Sequence, residues 1–242
     1  MKIRIKNYKL WIMNKESNLY IIFYSTIVVV IAAVLLALTA EIFNPLISKN
    51  MAKDKIRQML TSINIASTNS NAEELFAKYV TDSYLVNSKG EKVPGDAFKT
   101  ELASELTKPV EERKYPVFEA MIDGNKKYIL SLRGAGLWGP MWGFVSLNDD
   151  KDTVYGASFD HEGETPGLGA EIDTPQFGKE FIGKKFFNSE GRFVSIAVVK
   201  PGKPAVGQDY VDGISGGTIT SQAVNDMLKS SVRAYEPFLR KE

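Results

Sequence analysis

The sequence contains no cysteine, which excludes disulfides, thiol catalysis and thiolate-held iron–sulfur clusters in this chain. It has a single histidine, His161, so a histidine-rich metal centre is excluded and we expect no metal site. The formal net charge of +1 provides no overall field that would attract nucleic acid. If this protein carries electrons, an organic cofactor must therefore hold them.

A long apolar run lies near the N-terminus, from Leu19 to Ala40, with no charge until Glu41. At ~1.5 Å per helical residue the run is roughly 33 Å long, which matches a hydrocarbon core of ~30 Å. A cleaved signal peptide is the alternative, but its apolar region would be only ~7–15 residues long. We therefore predict a single transmembrane helix over residues 19–41.

The charges that flank this run predict its orientation. Lysine and arginine dominate residues 1–18, where Glu16 is the only acid, although basic residues also follow the run. Short basic flanks stay in the cytoplasm, whereas long domains are translocated largely regardless of charge. We expect residues 1–18 to form a cytoplasmic tail, with the rest of the chain on the outer, periplasmic side of the bacterial inner membrane. The run itself has no ionisable side chain between its ends, so it offers no ion path alone.

Helical periodicity continues beyond the apolar run. Residues after Pro45 place apolar side chains on one helical face, and Asn71 precedes two acids at the start of a second helix. We therefore predict a helical connecting region over residues 42–110. The apolar residues that share the first face are Ile56, Met59, Leu60 and Ile63.

Farther along the chain, apolar and polar residues alternate, and turn residues such as 123–125 separate the alternating runs. A final amphipathic helix is predicted from about Thr218 to Tyr235. The pattern predicts an α+β domain over residues 111–242, made of antiparallel strands with flanking helices, which we place to one side of the sheet. The predicted strands are 83–87, 117–122, 126–132, 143–147, 153–159 and 192–199.

The most informative segment runs from Asp212 to Ser221. Two adjacent glycines, Gly216 and Gly217, let the backbone approach a ligand closely, and Thr218 then opens the final helix. The start of a helix presents free N–H donors and a positive dipole end, which favour a bound phosphate. The plainer interpretation is that Ser215 and Thr218 only cap a helix after a glycine turn.

The pattern Asp-x-x-Ser-Gly-Gly-Thr at residues 212–218 resembles the flavinylation motif of the FMN-binding domain family. The resemblance implies that FMN is attached covalently, as a phosphoester, to Thr218. It further implies that a separate flavin transferase makes this bond and recognises Asp212 and Ser215. Alanine is commoner in the family at the position of Gly217, and losing one methyl group there should not block the modification.

Two further segments resemble the same family: the Gly-Leu-Trp turn at residues 136–143 and the Glu-Thr-Pro-Gly-Leu-Gly loop at 161–172. The resemblance implies that Trp138, Leu168 and Lys200 surround the isoalloxazine ring, and it implies no catalytic residue. An ordinary core role for the first two side chains, and a solvated role for the lysine, remain open. The complete implied cofactor site comprises Leu137, Trp138, Glu164, Thr165, Leu168, Gly169, Lys200, Asp212, Ser215, Gly216, Gly217 and Thr218.

Nearly the whole chain resembles the C subunits of the sodium-translocating NADH:quinone oxidoreductases, including residues 14–18 and 44–55 on either side of the apolar run. The resemblance implies an electron-transfer subunit of a six-subunit membrane complex. It would relay electrons that originate from NADH through FMN towards ubiquinone or menaquinone. The chain would have no complete enzymatic activity on its own.

Three alternatives stay open. The same domain occurs in the G subunit of the ion-translocating ferredoxin:NAD⁺ oxidoreductase complex, which would also carry FMN. A membrane-tethered binding or sensor module could use the Gly-Gly-Thr loop for a loosely held phosphate ligand. A hydrolase with His161 and either Ser158 or Ser215 is the third, although no Gly-x-Ser-x-Gly elbow accompanies these residues.

Two patterns resemble binding motifs without the context that such motifs require. Residues 134–139 match Gly-x-Gly-x-x-Gly, but Pro140 and a predicted strand follow instead of a helix, so we expect no dinucleotide there. The acidic stretch 148–152 lacks the central glycine and the terminal glutamate of a calcium loop. We expect it to be a solvated hairpin turn.

Overall fold

The computed structural model describes residues 18–241, so most of the predicted cytoplasmic tail lies outside the described residues. The chain divides into two units, with the boundary after Ala52. The first helix, α1, runs without interruption from Asn18 to Ser62 and contains Pro45. By length and composition this helix can cross a membrane, and it fits the anchor predicted over 19–41.

The second unit contains the remaining elements, in the order helix, two strands, short helix, four strands, short helix, two short strands and a long final helix. Two short 3-10 turns, at Val110–Glu112 and Gly169–Asp173, lie between them. The other elements are α2 (Ala72–Tyr79), β1 (Val80–Asn87), β2 (Lys92–Val93), α3 (Leu102–Leu106), β3 (Lys114–Ile122), β4 (Asn125–Ala135), β5 (Pro140–Leu147), β6 (Val154–His161), α4 (Pro175–Lys179), β7 (Ala197–Val199), β8 (Tyr210–Asp212) and α5 (Thr218–Leu239).

Six strands form one antiparallel sheet in the order β2-β1-β3-β4-β5-β6. The hairpin between β3 and β4 closes through Asp123 at φ 49° and Gly124 at φ 75°. Two successive residues of positive φ match the twist of the flanking strands, which explains why the Asp-Gly pair predicted this hairpin. Two strands of the sheet, β1 and β2, come from the predicted connecting region 42–110.

Helices pack on both faces of this sheet, and not on one face as we predicted. Neighbouring residues of a strand point to opposite faces, so the long strands at the centre of the sheet contribute to two apolar clusters. On one face Val117 and Leu130 pack in the cluster that includes α5. On the other face Phe118 and Ile129 pack in the cluster that includes the end of α1. The end of α1 contributes Ile56, Met59 and Leu60, followed directly by Ile63, as their helical spacing predicted.

The strand predicted over residues 192–199 is wrong for most of its length. Only Ala197–Val199 is a strand, and it pairs in parallel with β8 in a separate two-stranded sheet. Ser195 has φ 68°, a left-handed conformation that ends any extended run. Its N–H donates to the carbonyl of Phe186. The alternating pattern upstream instead places Phe193 against Phe186, with the rings stacked at 6.4 Å.

Candidate functional site

Thr218 is the first residue of α5, a helix of 22 residues, and its side chain is exposed. The loop before it is held by Ser221, whose hydroxyl accepts a hydrogen bond from the Ile214 N–H at 2.8 Å. Gly216 has φ 77°, and a Cβ at this position would lie 2.7 Å from a methyl carbon of Leu168. The glycine therefore lets the loop approach Leu168 and presents the start of α5 to solvent.

The start of α5 suits an anion. The first N–H groups of a helix have no partner within the helix, and the helix dipole places partial positive charge there. Gly217 precedes Thr218, and a Cβ at this glycine would lie 3.1 Å from Cβ of Ile214 and 3.3 Å from Cα of Gly169. The alanine that is commoner in the family would fit here only tightly. Thr218 itself stays exposed to an approaching phosphate group.

Two grooves meet at Thr218. The larger, of about 680 Å³, lies between the end of β4 and the exposed face of α5, and Ile219 and Gln222 line it. The smaller, of about 310 Å³, lies between α5 and the segment after β7. Lys200 and Lys203 line this smaller groove together with Thr218. A group attached to the Thr218 hydroxyl can therefore extend into either groove.

The lysines of the smaller groove belong to a turn that Asp212 holds in place. The turn closes through a hydrogen bond of 3.0 Å from the Lys203 N–H to the Lys200 carbonyl. The Gly202 N–H donates to Oδ1 of Asp212 at 3.3 Å. Asp212 stands in the predicted flavinylation motif, and here it also binds the backbone of the lysine turn.

Exposed apolar side chains surround the Thr218 end of the domain. Trp138 is 67% exposed and Leu168 is 44% exposed, so neither is an ordinary core residue. Leu137 and Ile219 are exposed as well. Large apolar side chains cluster at a protein surface where they bind a ligand or a partner. This cluster can cover the flat face of an aromatic cofactor.

Glu164 differs from the other predicted site residues because its side chain is buried, at 4% exposure. One carboxylate oxygen accepts hydrogen bonds from the N–H groups of Leu137 at 2.7 Å and Trp138 at 3.0 Å. The other accepts a hydrogen bond of 2.6 Å from the hydroxyl of Thr220. Burial alone would raise the pKa of Glu164, but these hydrogen bonds lower it below its ordinary value, so the carboxylate is ionised at neutral pH. It joins the Trp138 turn to the first turn of α5.

His161 supports the same loop. Its Nδ1 accepts a hydrogen bond of 3.1 Å from the backbone N–H of Glu164. In a hydrolase triad this nitrogen would instead donate to a carboxylate. The nearest carboxylate oxygen to Nε2 is that of Asp173, at 3.9 Å. The geometry favours a loop-positioning histidine over the hydrolase alternative.

The Gly-x-Gly-x-x-Gly pattern at residues 134–139 serves packing. It covers the last two residues of β4 and the turn that leads to β5, so no helix follows it. A Cβ at Gly134 would lie 2.7 Å from Cβ of Met227 on α5, and a Cβ at Gly136 would lie 2.4 Å from Oε1 of Glu164. These two glycines are needed for the close approach of α5 and Glu164.

The structure brings most of the predicted cofactor residues to one end of the domain, in different roles. Ser215 and Thr165 have exposed side chains, whereas Gly169 is buried, and a Cβ there would lie 2.3 Å from the Thr220 hydroxyl oxygen. Sequence reasoning missed Lys203, although it stands three residues after Lys200. The predicted cofactor site also did not include four residues of α5 that line or secure it: Ile219, Thr220, Ser221 and Gln222.

The fold and this site define an FMN-binding domain that follows a helix able to span a membrane. Residues 136–233 match the family model described as the FMN-binding domain. This matched range contains the Trp138 turn, the Glu164 loop and Thr218, so the shared family features coincide with the site. FMN is accordingly the cofactor class of the domain.

Relatives over nearly the full chain identify the family more closely. The C subunit of the Na(+)-translocating NADH-quinone reductase of Vibrio vulnificus is 32% identical over 79% of this chain and 82% of its own length. The corresponding protein of Haemophilus ducreyi is 31% identical over 89% and 88%. The crystal structure of the corresponding protein from Parabacteroides distasonis has 53% identity and a TM-score of 0.77, covering 81% of this chain and 96% of that one. The chain belongs to the family of C subunits of Na(+)-translocating NADH-quinone reductases.

Proposed function

We propose that this chain is the membrane-anchored electron-transfer subunit of a sodium-pumping NADH:quinone oxidoreductase and carries FMN as a phosphoester on Thr218. The observation that carries the proposal is the position of this threonine. Its side chain is exposed on the first residue of α5, where the two grooves meet. Membership of the family of C subunits supports the same assignment.

The residues around Thr218 fit each part of FMN. The free N–H groups at the start of α5 suit the phosphate. Lys200 and Lys203 supply positive charge in the smaller groove, and Trp138 and Leu168 supply exposed apolar surface for the ring. Bound FMN would supply the reversible electron transfer. The protein's own task is to hold the cofactor, exclude water from part of its surface and set the local charge.

Attachment requires a second protein. The hydroxyl of a threonine is a weak nucleophile unless a neighbouring base activates it. We assign this activation to a flavin transferase that moves FMN from FAD to the exposed Thr218 hydroxyl, breaking the pyrophosphate bond of FAD and releasing AMP. The transferase contacts Asp212 and Ser215 on the loop before this threonine. Both of these side chains are exposed, as such recognition requires.

The proposed arrangement places residues 19–41 in the bacterial inner membrane, the N-terminal tail in the cytoplasm and the FMN domain on the periplasmic side. Residues 42–110 would connect the anchor to a flavin-binding part over 111–242. A covalent bond is useful in that compartment because a dissociating FMN would be lost from it. The partners are the other subunits of a six-subunit complex, of which quinone is the final electron acceptor.

The alternative that this chain is the G subunit of a ferredoxin-linked complex is disfavoured. The relatives from Vibrio, Haemophilus and Parabacteroides are named as subunits of NADH-quinone reductases, and they match the chain over most of its length. Copurified partners separate the two assignments, because an NADH-oxidising flavoprotein accompanies the first and a ferredoxin-linked one the second.

Substitution of Thr218 tests the covalent bond. We expect the wild-type chain, made in cells that contain the transferase, to give a band that fluoresces under ultraviolet light after denaturing electrophoresis. Thr218→Ala should remove this fluorescence completely, because the oxygen that forms the ester is gone. Mass spectrometry of the peptide containing residues 212–221 should show the added mass of one FMN on the wild type.

Thr107→Ala is the matched control, since this exposed threonine lies after α3 and its hydroxyl donates only to a nearby backbone carbonyl. It should keep full fluorescence. A dark wild-type band from transferase-containing cells would contradict covalent attachment and would favour a tethered module with a loosely held phosphate ligand.

A further inference from the structure

The first turn of α5 contains two threonines with opposite environments. Thr218 is exposed, whereas Thr220 is 2% exposed. Two residues correspond to about 200° around a helix, so the two side chains point to nearly opposite sides. Chemically the hydroxyl groups are the same, and only their surroundings distinguish them as targets for a modifying enzyme.

Glu164 holds the hydroxyl group of Thr220 in its buried position. Its carboxylate accepts the Thr220 hydroxyl at 2.6 Å, while its other oxygen accepts the N–H groups of Leu137 and Trp138. A hydrogen bond to an ionised acceptor is stronger than one between neutral groups. The contact therefore fixes the rotation of the first turn of α5 relative to the Trp138 turn.

The surrounding backbone leaves this contact little freedom. A Cβ at Gly169 would lie 2.3 Å from the Thr220 hydroxyl oxygen and 2.7 Å from Oε2 of Glu164. A Cβ at Gly136 would lie 2.4 Å from Oε1 of the same carboxylate. Both glycines are thus required for the carboxylate to reach between the two loops, and the space around it is filled.

We infer that Glu164 is a positioning residue for flavin attachment: by holding Thr220 inward, it turns Thr218 outward as the threonine that receives the flavin. This inference rests on the proposed function. As a positioning residue, Glu164 contacts only groups of the protein and does not contact FMN. It assigns the Glu-Thr-Pro-Gly-Leu-Gly loop a role in maturation of the site through the start of α5.

Glu164→Ala, Glu164→Gln and Thr220→Val, each made in the full chain in transferase-containing cells, test this role. In-gel flavin fluorescence per protein and fragment mass spectra give the extent and position of attachment, and thermal unfolding reports the fold. Glu164→Ala should lose most of the flavin on Thr218, because the first turn of α5 is no longer held. Glu164→Gln should keep wild-type flavin content, since its amide oxygen can accept both N–H groups and its amide nitrogen can donate to the Thr220 hydroxyl oxygen.

Thr220→Val removes only the hydroxyl, and its flavin content should lie between those of the wild type and Glu164→Ala. Should Glu164→Ala fail to fold, Thr220→Val and Glu164→Gln still decide the question. Glu162→Ala, which changes an exposed side chain in the same loop, is the matched control and should match the wild type.

Three results would overturn the inference: wild-type flavin content in a folded Glu164→Ala protein, wild-type content in Thr220→Val, or a loss in Glu164→Gln as large as in Glu164→Ala. The last result would mean that the charge matters and not the hydrogen bonds. Failure of the proposed function looks different, because then the wild-type protein itself would carry no attached flavin.

Discussion

At the scale of single residues, neighbouring side chains at this site differ in role more than their chemistry suggests. Lys200 and Lys203 point charge into a groove beside Thr218, whereas Asp212 binds the backbone that carries them. Glu164 is charged too, but it is buried and contacts only protein groups. The lysines therefore supply the positive charge of the smaller groove, Asp226 lines the larger groove, and the buried charge of Glu164 serves to position the site.

The two lysines should tune the reduction potential of the attached flavin. Positive charge beside the cofactor favours its reduced, more negative form, so Lys200→Ala and Lys203→Ala should each lower the midpoint potential. Exposed charge pairs are worth about 1 kcal/mol or less, and salt screens them. A redox titration of the flavinylated variants should therefore show modest shifts that shrink at high ionic strength.

Lys229→Ala provides the comparison, since this lysine is exposed on α5 but does not line either groove. The midpoint potential of the flavin in this variant should equal that of the wild type. Equal shifts in all three variants would mean that net charge, and not position in the smaller groove, sets the effect.

At the scale of elements, the contact between α5 and β4 keeps the helix start in place. Gly134 on β4 faces Met227 on α5 so closely that a Cβ would lie 2.7 Å from Cβ of this methionine. Tyr235, farther along α5, is fully buried and donates its hydroxyl hydrogen bond to the Pro116 carbonyl at 3.0 Å. These contacts fix α5 against the sheet along its length, and they therefore also hold its first residue, Thr218, in place.

Gly134→Ala should force α5 away from β4. Inserting a methyl group into a filled contact costs about 1–3 kcal/mol, so the free energy of unfolding should fall by that order. Urea unfolding of the variant and the wild type measures it. Gly163→Ala is the control, because a Cβ there would have only ordinary contacts, the nearest at 3.4 Å. A Gly134→Ala protein as stable as this control would contradict the tight packing.

At the scale of the whole molecule, α1 contributes residues to both units of the chain. The exposed apolar residues of α1 lie before Ala52, whereas Ile56, Met59 and Leu60 are buried in the second unit. The last turns of the helix therefore belong to the core of the domain, and the part before them is available to a bilayer.

Removal of residues 1–52 should separate membrane binding from the folding of the second unit. We expect the full chain to sediment with membranes and to require detergent for extraction, because its apolar helix inserts in the bilayer. The chain from Lys53 onward retains the buried end of α1 and should be found in the soluble fraction with a cooperative thermal transition. A full chain released by high salt or alkaline washing would contradict the anchor, and an aggregated shorter chain would contradict an independent domain.

The sequence correctly predicted those parts of the fold that are determined by neighbouring residues. The apolar length of α1, the Asp123-Gly124 hairpin and the helical spacing in α5 all depend on residues close together in the chain. The prediction over residues 192–199 was wrong because alternating apolar residues there fill the core as a loop, and the left-handed Ser195 ends the extended run. The placement of helices on one face was wrong because the strands bury side chains on both faces.

The sequence by itself determined the anchor, the family motif and the threonine on which the proposal rests, since each is a pattern of adjacent residues. Only the tertiary structure decided what surrounds that threonine. The contact of Glu164 with Thr220 spans 56 positions of the chain, and the smaller groove joins the segment after β7 to α5. Such pairs form because separate elements pack against one sheet. The residues next to either partner in the sequence therefore do not predict the contact.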